Sequence, residues 1–195
     1  MPRFFPISPL YPGYTENWHD KNIVMHHGGV PDEIGITIAI MGHNDHFETA
    51  ADWSAAARLV DFEPRQPSYT AGFELVSLAV FVMDHRKRRL PIGARSLEAH
   101  YGAFVIDQKR LASAADAKRQ ALSTPYGAFD KTVRVAGLEG RGYALGREPD
   151  PNDIDGRSPA IIVWSDSAML YLLASDQLDE VILLRIASSM YDGAA

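Results

Sequence analysis

Two pairs of histidines, His26-His27 and His43-x-x-His46, form the only group of metal-type ligands, with Asp45 and Glu48 beside the second pair. Imidazoles and carboxylates at such spacing would suit a zinc ion that activates water, a job that needs three protein ligands oriented by a second layer of hydrogen bonds. The residues around them predict turns, and a turn does not fix the mutual geometry of its ligands. The His-Glu-x-x-His helix pattern is missing. His43 and His46 are the candidate ligands, and the expectation is that the chain holds no metal and no other cofactor.

Other catalytic chemistry has less to stand on. The chain has no cysteine, which removes thiolate nucleophiles, disulfides and Cys-ligated metals and says nothing about compartment. No Gly-x-Ser-x-Gly elbow, Walker loop or dinucleotide fingerprint occurs, and Gly137-Leu138-Glu139-Gly140-Arg141-Gly142 reads as turn glycines. Asp153 and Asp155 lie in a Pro-rich acidic stretch, where water keeps a carboxyl from the raised pKa that general-acid work requires. The expectation is that the protein is not an enzyme, with a His-dependent metal enzyme as a distant alternative.

Two apolar patterns suggest binding. Trp164, Met169, Tyr171 and Leu173 could line a pocket for an acyl chain, although aromatic and aliphatic stripes ordinarily fill cores. Residues 1–34 set Phe4, Phe5, Tyr11, Tyr14 and Trp18 among five prolines. Proline excludes helix and central strand there, and the aromatics are too many for a solvated tail. Such an arm would cover an edge of its own domain or anchor on another protein.

Length and composition limit the setting for these residues. At 195 residues, 46% hydrophobic and 23% charged, the chain suits one domain with a real core. No run approaches the ~20 apolar residues of a membrane span, and the prolines of the first ten residues interrupt any secretory signal. Net charge is −6, and residues 1–64 hold nine carboxylates against Arg3, Lys21 and Arg58. The basic run His85-Arg86-Lys87-Arg88-Arg89 is too short for a phosphate-binding face and reads as a hairpin loop, so no nucleic acid is expected.

Hydrophobic periodicity predicts the elements. A short β-branched strand covers 35–41. A helix follows, capped by Thr49, with Trp53, Ala56, Ala57 and Val60 on one face and Pro64 and Pro67 ending it. A long strand over 72–84 turns back through the basic loop into a second over 97–108. Residues 111–122 form a loosely held helix or loop, and short strands at 132–136 and 141–145 flank the glycines. Residues 158–191 are the organising block: two apolar strands joined at Ser165-Asp166-Ser167, then a helix capped by Asp176, facing inward with Ile182, Leu183, Ile186 and Met190. Val181 and Leu184 fall outside that face, which predicts a helix covered on two sides or offering a surface to a partner. The fold class expected is α+β: a curved antiparallel sheet of about six strands, with a helix before it and a C-terminal helix packed on it. The arm and its strand occupy 1–48 and the domain 49–195.

The order of a helix, a Phe-x-Pro-x-x-Pro linker, a Gly-x-x-Leu strand, strand pairs, and Trp and Tyr strands before a Leu-rich helix resembles a bacterial domain of unknown function. That domain is the sensor-like part of anti-sigma-factor and lipoprotein-type proteins, in the LolA/RseB-like superfamily. The likeness is carried by Ala55-Ala56-Ala57-Arg58-Leu59-Val60-Asp61-Phe62-Glu63-Pro64, Tyr69-Thr70-Ala71-Gly72-Phe73-Glu74-Leu75, Val135-Ala136-Gly137-Leu138-Glu139-Gly140, and Val163-Trp164 through Tyr191, about residues 49–191. It implies a curved antiparallel sheet with helices against its concave side, binding acyl chains or docking proteins, and no catalytic residues. It would also suggest a periplasmic location, whereas the absence of a signal or anchor in the sequence predicts a cytoplasmic one.

The function expected is a non-enzymatic interaction module, an accessory or regulatory subunit docking on a larger complex, membrane-bound or not, with peripheral membrane association at most and no span of its own. The partner-facing residues are Phe4, Phe5, Tyr11, Tyr14, Trp18, Val181 and Leu184. The alternative is a carrier or sensor of a hydrophobic ligand.

Overall fold

In the computed structural model the described residues are 46–82, 95–122, 131–143 and 160–192. The arm, the strand expected over 35–41, His43, the basic loop and the acidic stretch lie outside them. The elements in chain order are β1 (His46–Ala50), α1 (Trp53–Leu59), β2 (Leu75–Val82), β3 (Arg95–Tyr101), β4 (Val105–Arg110), α2 (Ala114–Leu122), β5 (Lys131–Val135), β6 (Leu138–Tyr143), β7 (Ala160–Asp166), β8 (Met169–Ser175) and α3 (Glu180–Ser189).

The protein is α+β, built on an open, curved antiparallel sheet of eight strands in the order β1-β2-β3-β4-β8-β7-β6-β5. Two four-stranded meanders, one from each half of the chain, meet where β4 pairs with β8. Both faces of the centre are buried, so β7 and β8 read as near-continuous apolar runs. On the front face Leu78, Val80, Leu97, Ala99, Ile106, Ile162, Trp164, Tyr171 and Leu173 pack under α1 and α3. On the back face Val105, Ile161, Val163, Leu170, Leu172 and Ala174 pack against Ala117 and Ala121 of α2. Helices thus lie on both faces, where the family likeness implied one. Among the described residues no helix is long and apolar enough to cross a membrane.

Several local expectations are corrected. Thr49 belongs to β1, and the cap of α1 is Asp52, whose carboxylate accepts the Ala55 N–H at 2.7 Å. The strand expected over 97–108 is two strands, because Gly102-Ala103 turns the chain tightly enough for the Tyr101 N–H to donate to the Phe104 carbonyl at 2.8 Å. The rings of Tyr101 and Phe104 stack across that turn, 4.5 Å apart. The β5–β6 turn is Ala136-Gly137, both at positive φ (48° and 87°), as a two-residue type I′ hairpin requires. The cap of α3 is Asp179, which accepts the Ile182 N–H at 2.9 Å, where the sequence pointed to Asp176. Its inward face is as expected at Leu183, Ile186 and Met190, with Ile182 half-buried.

Gly140 and Gly142 face the front core from β6, opposite Trp164 and Ile162. A Cβ on Gly140 would sit 2.6 Å from the Val163 carbonyl oxygen and 3.0 Å from the Trp164 Cβ. The backbone of β7 at Val163-Trp164 thus lies closer to β6 than any side chain at 140 would allow.

Candidate functional site

A strand places alternate side chains on opposite faces. In β3, Leu97, Ala99 and Tyr101 therefore enter the front core, and Ser96, Glu98 and His100 share the back face. In β4, Ile106 and Gln108 face front, and Val105, Asp107 and Lys109 face back. The register sets Glu98 opposite Asp107, Ser96 opposite Lys109, and His100 opposite Val105. On the other flank, Ala79 of β2 lies opposite Glu98 and Ser77 opposite His100. The outcome is a polar patch on the back face of β3 and β4, beside the apolar back-face cluster.

The patch is deeply placed. Glu98 is 5% exposed, Ser96 1% and Asp107 0%. His100 Nε2 lies 3.1 Å from Glu98 Oε2, with the imidazole partly open to solvent. Glu98 Oε1 and Ser96 Oγ are buried without a hydrogen-bond partner. Directly opposed like charges destabilise a strand pair, and burying them adds a desolvation penalty of several kcal/mol per ion, roughly; Lys109 is carried on the same face of β4, opposite Ser96.

The same spacing limits the chemistry. Ser96 and His100 stand four residues apart on one strand, roughly 13 Å at the usual rise, too far for the imidazole to take a proton from the hydroxyl. Ser96, Glu98 and His100 share a face without forming a nucleophile–base pair. Among the described residues no group of three or more His, Asp or Glu side chains is arranged to hold a metal ion.

The front face is closed by the segment between α1 and β2. Arg65 donates its Nε to the Tyr171 hydroxyl at 3.1 Å and an Nη to Asp166 at 2.9 Å, and lies over the Tyr191 ring at 4.3 Å. Tyr171 stacks on Trp164 at 5.1 Å, and Trp164 Nε1 donates to the Tyr191 hydroxyl at 3.0 Å. Burial pushes the Tyr191 hydroxyl up to about 12, with the bond from Trp164 working against that rise. Burial raises Tyr171 as well, against the nearby Arg65.

Of the residues singled out by sequence, Trp164, Tyr171 and Leu173 lie in the closed front core at 0–1% exposure, and Met169 is half-buried beside it. Val181 is 74% exposed at the start of α3, and Leu184, one turn on, is half-buried. Next to Leu184, the Arg185 guanidinium stacks on the Tyr69 ring at 4.0 Å. The β1 residue His46 pairs with Val82 along the backbone. Phe4, Phe5, Tyr11, Tyr14, Trp18 and His43 fall outside the described residues. The acids, Ser96 and His100 escaped the sequence reading, although the polar positions alternating with Leu97, Ala99 and Tyr101 were a usable signal. Compared with family models, with curated proteins and with solved structures, the chain matches none.

Proposed function

We propose that this chain is a non-enzymatic interaction module, an accessory or regulatory subunit that docks on a larger protein complex through α3 and the aromatic arm. The observation that carries the reading is Val181, a large apolar side chain 74% exposed on a helix whose opposite side is core. Leu184, Arg185 and the stacked Tyr69 continue the same side. Apolar anchors beside a guanidinium–aromatic pair are the composition that protein interfaces favour. Two further observations support the reading: the stripe suited to an acyl chain is packed into the core, and Ser96 and His100 are too far apart to act together. The LolA/RseB-like kinship belongs to the same proposal, with the curved sheet as its support.

One truncation and one substitution test it in the native source. Removing residues 1–20, or replacing Val181→Asp, is expected to lower recovery of one co-purifying protein while the chain stays folded. Unchanged recovery with both changes combined would overturn the proposal.

A further inference from the structure

Phe81 and Ser96 stand opposite each other on the back of β2 and β3, and they are 4% and 1% exposed. With Phe47 and Lys109 they form one row across β1 to β4, at the level where the chain enters β1. The Phe47 and Phe81 rings lie 5.0 Å apart, and Phe47, Phe81 and Lys109 are each engaged beyond the contacts named so far. Among the described residues no helix accounts for the burial of this row: α1 and α3 belong to the front core, and α2 lies over β6, β7 and β8. A side chain loses its exposure only when other atoms are packed against it, and here the single chain must supply them.

We infer that residues 34–41 of the same chain, IGITIAIM, cover the back face of the sheet over Phe81 and Ser96. Reach allows it. Residues 42–45 span at most about 14 Å, and a layer packed ~10 Å above the neighbouring strand, itself ~5 Å across, lies ~11 Å from the start of β1. Chemistry selects it. Ser96 Oγ and Glu98 Oε1 are buried without a hydrogen-bond partner. The loop that joins β2 to β3 leaves the sheet at the same end, but Arg86, Lys87, Arg88 and Arg89 would bring donors to those atoms, whereas aliphatic side chains bring none. Pairing of 34–41 along the free edge of β1 would leave the back of β2 open, so the burial of Phe81 requires a cover above the sheet. The cover is separate from the α3 surface and from the aromatics at 4–18, and each stands without the other.

The chain has no cysteine, so introduced pairs report alone. Ser96→Cys keeps the size of a side chain that makes no hydrogen bond, and it is combined in turn with Ile36→Cys, Ile38→Cys and Ile40→Cys in the dilute full chain. Under mild oxidation at least one pair is expected to close within the chain in more than about half of the molecules, as a Cα separation of about 4.4–6.8 Å permits. Ile38→Cys with the exposed Glu139→Cys of β6 should give no such bond. Alkylation of Ser96→Cys alone should be slow, and should quicken about tenfold or more when Ile36→Asp, Ile38→Asp and Ile40→Asp are added together. If the aspartates unfold the chain by circular dichroism, the disulfide pairs decide. No bond from any of the three pairs, bonding of Ser96→Cys to Ile92→Cys of the basic loop in their place, or an unchanged alkylation rate in the folded aspartate variant would overturn the inference.

Discussion

Gln108 and Arg65 exchange two hydrogen bonds: the Arg65 backbone N–H donates to Gln108 Oε1 at 2.8 Å, and Gln108 Nε2 donates to the Arg65 carbonyl at 2.7 Å. The side-chain amide of a fully buried residue thereby stands in for a neighbouring strand and satisfies both polar groups of a passing peptide. The pair fixes residue 65 over the centre of the sheet, where its guanidinium then meets Tyr171, Asp166 and Tyr191.

Gln108→Ala leaves a buried N–H and carbonyl without partners and opens a void beneath them. We expect a loss of about 2–4 kcal/mol in urea unfolding. Gln108→Glu keeps the volume and the acceptor but removes the donor to the Arg65 carbonyl, so it too should destabilise. A midpoint unchanged in Gln108→Glu would show that the clasp contributes nothing to stability.

The close approach at Gly140 predicts a second loss. Gly140→Ala forces β6 away from β7, at about 1–3 kcal/mol by the usual cost of overpacking. Gly72→Ala is a useful contrast: its φ is +85° with nothing within 4 Å of the added Cβ, so only backbone strain of roughly 1–2 kcal/mol applies. Thermal unfolding of the two variants should separate them, with Trp164 fluorescence altered in Gly140→Ala alone.

Alkaline pH should weaken the fold through Tyr191. Its proton is held more tightly in the folded chain, so the contribution is whole below the ordinary tyrosine value of about 10 and fades as pH climbs toward about 12. Urea midpoints at about pH 8 and about pH 11 should fall less in Tyr191→Phe than in the parent protein. At neutral pH the same variant loses the bond from Trp164 Nε1, a cost of about 1 kcal/mol.

The fold class and the inner face of α3 were legible in the sequence because they follow from local periodicity: Leu183, Ile186 and Met190 recur at helical spacing, and β7 and β8 are unbroken apolar runs. The number of strands was not. The 97–108 run gives no proline or polar break, and the turn at Gly102-Ala103, closed by the Tyr101–Phe104 hydrogen bond with the two rings stacked across it, interrupts a pattern that reads as one continuous strand. Helix starts were misplaced for the same kind of reason. Thr49 and Asp176 are plausible caps by residue type, but Thr49 is hydrogen-bonded into β1, and Ser175 Oγ takes the N–H groups of Gln177 and Leu178, moving the cap of α3 to Asp179. The Glu98–Asp107 pairing needs the β3–β4 register, which the sequence does not contain. Val181 lies off the inner face of α3, as helical spacing predicts, and is exposed.

The most direct test of an interaction module places a photo-crosslinking residue at Val181, and in parallel at the exposed Lys118 of α2 as a control. Irradiated in the native source, the chain carrying it at 181 should give one discrete adduct that disappears when Leu184→Asp is added, and the chain carrying it at 118 should not give that adduct. No adduct from position 181, or the same adduct from both positions, would contradict the account.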